Sequence, residues 1–216
     1  MKHTQKGFTL VEIAIVLVII GLLLGGILKG QEMITQAKIK NVVADFSGIS
    51  AAYYGYQDRY RSIPGDDSGA ATRWSGATAG GGNGQIAGKY NSTTDTDESR
   101  MWWDHLRRAG FVAGSGGLQP FNAVAGMLGV QTGDGAGSTA LGTAVGVGGF
   151  SGLIVCSANL PDKIAIAVDT QMDDGALITG TVRGQLQAAP NPAILAVAAG
   201  TYQETGTNVY AICRSL

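Results

Sequence analysis

The sequence predicts an α+β fold. One N-terminal helix of roughly 50 residues, half of it suited to a membrane, should pack on a small antiparallel β-sheet head with one or two short helices. Three observations carry this. Residues 8–28 form an apolar run with one charged member, Glu12. An apolar stripe at helical spacing continues beyond it, through Ile39 to Tyr60. The distal third holds short apolar runs bounded by glycine, proline and asparagine, the signature of strands.

The apolar run comes first. As a helix rising ~1.5 Å per residue, it spans ~30 Å, the hydrocarbon thickness of a bilayer. Lys29 closes it on one side, and Lys2, His3 and Lys6 flank the other. No water reaches the backbone inside a bilayer, so a helix is the only single-segment solution. Glu12 does not fit a plain anchor. An ionised carboxylate at that depth is costly unless it is paired, and no arginine, lysine or histidine lies within one helical turn of it. A cut after Gly7 would give Phe8 a new α-amino group, and that amine could pair with Glu12 of its own chain or of a neighbouring copy. The alternatives are an ordinary signal anchor and a secretory signal peptide. A signal peptide has a shorter apolar core with a small-residue cleavage site after it, and no Ala-x-Ala follows here.

The string Lys6-Gly7-Phe8-Thr9-Leu10-Val11-Glu12 resembles the leader junction of type IV pilins and type II secretion pseudopilins. The resemblance covers the N-terminal segment; the distal half resembles pseudopilin-like proteins more loosely. It implies cleavage between Gly7 and Phe8 by a membrane prepilin peptidase, N-methylation of Phe8, and a role for Glu12 in filament assembly. It implies a pilin-like head and, as partners, the peptidase/methyltransferase, an inner-membrane assembly platform, and copies of this chain or related pilins. The short leader resembles type IVa pilins and pseudopilins more than the long-leader class. Many pilins carry a proline deep in this helix. This chain has none before Pro64, so Gly25, Gly26 and Gly30 would have to supply any break during assembly. The spacing of Gly21 with Gly25, and of Gly26 with Gly30, also lets helices approach closely in lipid.

The expected division is a leader at 1–7, a membrane or filament-core helix at 8–28, an amphipathic continuation at 29–62 and a globular head at 63–216. In the continuation, Ile39, Val42, Phe46, Ile49, Tyr53, Tyr56 and Tyr60 are spaced 3, 4, 3, 4, 3, 4 and form one face. Lys38, Lys40, Asp45, Gln57, Asp58 and Arg59 lie off it. Core packing is the expected use of the stripe. Ser62-Ile63-Pro64-Gly65 should end the helix, because proline disfavours α conformation in the residue before it.

Residues 65–94 read as irregular, and Gly80-Gly81-Gly82-Asn83-Gly84 has loop composition. Asp95 with Glu98 three residues on resembles a capping box and predicts a helix over 96–109, ended by Gly110. Trp102 is expected in the core and Trp103 partly exposed. His105 has no acid or cysteine partner at a recognisable spacing and is expected to be a surface or structural residue. Residues 113–149, rich in Gly, Ala, Ser and Thr, are either a long loop or short glycine-broken strands.

From Phe150 the pattern sharpens. Leu153–Cys156 reads as a buried strand, and Pro161 should start a helix with Ile164, Val168 and Met172 on its inner face. Asp173-Asp174-Gly175 should end it. Two acids at a helix C-terminus oppose its dipole and ask for a cation. The candidates are Arg183 and a calcium ion held by Asp169, Asp173 and Asp174; a solvated turn or the arginine is the expected reading, since calcium takes six or more oxygens. Residues 179–183, 193–198 and 208–214 read as strands. Cys156 and Cys213 are the chain's two cysteines. Outside the cytoplasm an even pair points to a disulfide; a metal or catalytic use has no C-x-x-C and no nearby histidine to support it.

Composition excludes several classes. A net charge of −1 gives no basic footprint, so nucleic acid is not indicated. Charged residues are 14%, and glycine is 34 of 216, a low-charge surface suited to packing against copies of itself. No P-loop, dinucleotide fingerprint, Gly-x-Ser-x-Gly or His-Glu-x-x-His occurs, and no enzyme or cofactor is expected. Lys2 and Lys6 place the N-terminus in the cytoplasm and the head in the periplasm of a bacterial inner membrane, before transfer to a filament. A different class stays open. The chain could be a membrane-anchored periplasmic binding protein, taking carbohydrate through Trp102, Trp103 or the tyrosines. A tip minor pilin and a secretion pseudopilus subunit share the same assembly chemistry.

Overall fold

A computed structural model describes residues 9–133, 149–187 and 201–216 of the chain. In chain order the elements are α1 (Leu10–Tyr60), α2 (Ala70–Arg73), α3 (Glu98–Arg108), β1 (Leu128–Thr132), β2 (Leu153–Pro161), α4 (Asp162–Met172), β3 (Val182–Gln187) and β4 (Val209–Ser215). The fold is α+β and pilin-like: a long N-terminal helix, a four-stranded antiparallel sheet and a few short helices. Contacts divide the chain between Ala37 and Lys38 into two compact units.

The first unit holds the N-terminal part of α1. Its large apolar side chains, from Leu10 through Leu28, are exposed. α1 contains a window of mean hydropathy 2.8 with none of it buried, and is long and apolar enough to cross a membrane. The helix runs through Gly21, Gly25, Gly26 and Gly30 without interruption.

In the second unit the predicted stripe is the buried face. Ile39, Val42, Phe46, Ile49, Tyr53 and Tyr56 are buried, and Tyr60 is half-buried against the same cluster. Arg61, at φ 56°, turns the chain out of the helix two residues before Ile63. The sheet order is β1-β2-β4-β3, so the C-terminal strand is central and the strands beside it come from earlier in the chain. Both sheet faces are covered. Val155, Leu160, Tyr210 and Ile212 join the cluster of α1, α3 and α4, whereas Ile154, Cys156, Ala158 and Cys213 pack with Tyr90 and Phe150. This two-sided burial explains why β2 reads as a continuous apolar run rather than an alternating one. A register shift between Ser157 and Leu160 centres on Asn159 at φ 57°, whose side chain donates to the Val124 carbonyl.

Several expectations are corrected. The helix expected over 96–109 is Glu98–Arg108, and its N-cap is Asp97, without a side-chain cap bond. Asp95 is drawn instead into an ion pair with Arg100. Glu98 does not close a capping box. Its carboxylate accepts the N–H groups of Gly81 and Ala87 at 2.7 Å each. Trp103 is fully buried like Trp102, not partly exposed. Pro161 is the N-cap of α4 rather than its first residue, and it also ends β2. The strand expected over 179–183 begins only at Val182. Within the glycine-rich stretch, β1 forms at its middle, while 134–148 lie outside the described residues, as does the strand expected at 193–198.

The segment between α1 and α3 has little regular structure but is held by buried carboxylates. Asp66 accepts the N–H groups of Asn83 and Gly84. Asp67 accepts the Tyr56 hydroxyl and the Gly69 N–H and pairs with Arg73. Burial works against the Asp67 charge, but Arg73, Tyr56 and Gly69 together hold its carboxyl below the usual range. His105, expected as a surface or structural residue, is the structural one and is buried. Its Nδ1 accepts the Gly65 N–H at 2.9 Å, and its Nε2 lies 2.9 Å from the Thr78 carbonyl. Burial pushes its pKa down, consistent with a neutral ring bridging two backbone groups. Gly65 sits at φ +84° with the Glu98 carbonyl 2.4 Å from where a Cβ would be, so only glycine serves there.

Candidate functional site

Two groups of residues bear on function: the start of α1 and the acid turn after α4. At the start of α1, the Thr9 N–H and Thr9 Oγ1 each donate to Glu12 Oε2 at 2.8 Å, and the Glu12 N–H points back to Thr9 Oγ1 at 3.3 Å. These reciprocal bonds form a capping box: Thr9 is the N-cap and Glu12 the third helical residue. Glu12 thus has intrachain hydrogen-bond donors, though no counter-charge. No cation lies within one turn, but two donors from Thr9 satisfy one carboxylate oxygen. The Thr-x-x-Glu spacing announces the box, and a reading that treats Glu12 only as an unpaired membrane acid overlooks Thr9. Gly7 and Phe8 lie outside the described residues. At the far end of the apolar run, Lys29 pairs with Glu32 at 2.7 Å, an exposed contact of little energetic weight.

Asp169, Asp173 and Asp174, the less favoured calcium candidates, come together, with one carboxylate oxygen of each within 4.8 Å of the others. Asp169 is buried, Asp173 half-buried and Asp174 exposed. Each carboxylate meets donors from the chain itself. Asp169 accepts the Tyr202 hydroxyl at 2.6 Å and, more weakly, the Gly175 N–H at 3.3 Å. Asp173 accepts the N–H groups of Thr181 and Val182. Asp174 accepts the Thr179 hydroxyl and the Ala176 N–H, and these, with a smaller contribution from the Arg183 charge, hold its carboxyl low. Arg183 itself donates to the Gly180 carbonyl and lies 4.5 Å from the centre of the Phe150 ring. The donor set thus suits a turn closed by N–H and O–H groups. The three carboxylates alone fall short of a calcium shell, which needs six or more oxygens.

Burial pushes the Asp169 carboxyl up to about 6, against the opposing pull of Tyr202 and Gly175. A carboxyl raised in the folded state binds more protons there than in the unfolded chain. Its favourable contribution is therefore complete below pH ~4 and is lost as pH rises through ~6. Asp169→Asn, which mimics the protonated form, should match the wild type near pH 4 and exceed it by about 1–3 kcal/mol at pH 7. Denaturant unfolding of the full chain in detergent, at both pH values, checks this. If millimolar calcium raises wild-type stability and leaves Asp169→Asn unmoved, the turn is an ion site instead.

Cys156 and Cys213 form a disulfide that joins β2 to β4. They are directly opposed in the register, so the bond closes at a cross-strand pair already set by the ladder. Trp102 and Trp103 are fully buried, Trp102 stacks on Tyr53 at 5.4 Å, and of the seven tyrosines only Tyr54 is exposed.

Residues 2–28 match the family model described as "Prokaryotic N-terminal methylation motif". This is the prepilin-type leader of type IV pilins and pseudopilins, and the match spans the Gly7–Phe8 junction and Glu12. No curated protein and no solved structure was found to match the chain. The motif supports a type IV pilin-like or pseudopilin subunit in general terms, a class of structural rather than enzymatic proteins. It implies processing by a prepilin peptidase and association with other pilins. Together with the apolar helix, it is consistent with anchoring in a membrane.

Proposed function

We propose that this chain is a structural subunit of a type IV pilus-like or secretion pseudopilus filament, cut after Gly7 and N-methylated on Phe8. The observation that carries the reading is Glu12, an acid near the start of a helix whose apolar side chains are exposed from Leu10 to Leu28, inside a matching processing motif. Stored in the inner membrane, the helix faces lipid. Drawn into a polymer, it faces the helices of other copies. Glu12 of an incoming subunit then pairs with the new amine of Phe8 on a neighbour, an attraction that strengthens in low dielectric and sets axial register. The Thr9 donors keep the carboxylate satisfied until that exchange. The head lies on the periplasmic side, opposite Lys2 and Lys6. The disulfide serves head stability, and the acid turn is closed by the chain's own donors, without a cofactor.

Mass spectrometry of the cell-derived protein tests the first step. The mature chain should begin at Phe8, one methyl group heavier than the unmodified peptide, with residues 1–7 gone. Retention of residues 1–7 in assembled material would overturn the proposal. A membrane-anchored binding protein is the second reading, and it predicts unchanged function when Gly7→Ala blocks cleavage. Burial of Trp102 and Trp103 takes the two tryptophans out of that reading and leaves it Tyr54.

A further inference from the structure

Outside the start of α1 and the acid turn, the head carries an apolar groove of about 300 Å³. Its floor is the α1 face of Ala44, Gly48 and Ile49, and its walls include Phe111, Phe121 and Leu128. Gly48 has nothing within 4 Å of where a Cβ would be, so the floor is open. Among the described residues from 38 onward, the exposed large apolar side chains are Tyr54, Phe111, Leu118 and Phe121; two of the four wall this groove. Phe121 is 63% exposed, a poor use of an aromatic ring on a solvated monomer. Asp45 also lines the groove. Burial raises its carboxyl, and among the described residues no cation pairs with it.

We infer that this groove is an intersubunit docking site for the apolar half of α1 of a second copy of this chain. The inference rests on the filament reading and adds the contact through which the head would take part. Three features select this occupant. At Ala44 and Gly48 the floor offers small side chains, which let a helix approach closely. The walls offer aromatic rings, the usual lining of a helix-in-groove site. The apolar run of a second copy ends in Lys29, the cation that Asp45 lacks, and Lys29 is held only by an exposed partner. One element thus supplies both the apolar face and the charge that the groove lacks.

The test places a photo-crosslinking phenylalanine analogue at position 121 of the full chain, in cells that assemble filaments. The expected product is a dimer whose linked peptide falls within residues 10–29 of the second copy. In parallel, Phe121→Glu and Gly48→Trp should each lower filament incorporation by about tenfold or more, the effect of removing an interface anchor. Melting of the detergent-solubilised subunits should be unchanged. Assembled filaments whose crosslink maps to lipid, to another protein or to a different part of the second copy would overturn the groove inference and leave the filament reading standing. Failure of the wild-type chain to polymerise would overturn both.

Discussion

Glu12→Ala is expected to insert into the membrane at least as well as the wild type and yet to fall out of the filament, with incorporation reduced by about a hundredfold or more. Removing the acid removes the one group that lipid opposes, so insertion is not impaired. It also removes half of the proposed pair with the Phe8 amine, leaving that cation unpartnered in the polymer interior. The structure adds a second arm. Thr9 supplies both intrachain donors to Glu12 Oε2. Thr9→Val should therefore loosen the stored subunit without deleting the pairing group, and Thr9→Ser should behave as wild type. Quantitative blotting of sheared filaments against membrane fractions separates the steps. Normal filament yield from Glu12→Ala would remove the assembly mechanism, whatever the cleavage state of the N-terminus.

The largest effect on stability is expected from the disulfide. Cys156 and Cys213 are 57 residues apart in sequence. Opening a loop of that length costs about 4 kcal/mol in the chain-entropy model. For a chain of this size, the double variant Cys156→Ala/Cys213→Ala should melt about 10 °C lower. The topology makes the loss local as well as global. β4 is the C-terminal strand, inserted between β2 and β3, and its disulfide faces the Tyr90–Phe150 side of the sheet. Without the bond, the last strand is held by hydrogen bonds and packing alone. Hydrogen exchange should then show early opening of residues 209–215. A loss under about 1 kcal/mol in denaturant unfolding would show that the ladder and core, not the cross-link, hold the strand.

Legibility tracked how local each cause is. The stripe from Ile39 to Tyr60 is a pattern along one helix, and its 3 and 4 spacing was enough to name the buried face. The strand holding Cys156 and the helix after Pro161 were legible for the same reason. Helix ends were less so. Asp95 and Glu98 have capping-box spacing, but Arg100 claims the first and the backbone of Gly81 and Ala87 claims the second. Tertiary partners outbid a local motif where a buried carboxylate can satisfy two orphan N–H groups at once. The reverse happened at Thr9 and Glu12, where a true local box was hidden behind the search for a cationic partner. The full burial of His105 and Trp103 was not legible, because nothing near them in sequence explains it. Gly65, Thr78 and the core cluster explain it only in space.

By itself, the sequence determined what depends on composition and short-range order. It specified the membrane-length apolar helix with its single acid, the N-terminal methylation motif, the amphipathic continuation and the pairable cysteines. Tertiary structure decided which distant groups meet: the insertion of β4 between β2 and β3, the carboxylates that hold the loop before α3, the donors around Asp169, and the groove beside α1. The reason is physical. A helix face or a signal junction is encoded by neighbours a few residues apart. A buried acid, in contrast, takes whichever donors the folded chain brings within hydrogen-bond reach, and no spacing along the chain foretells them.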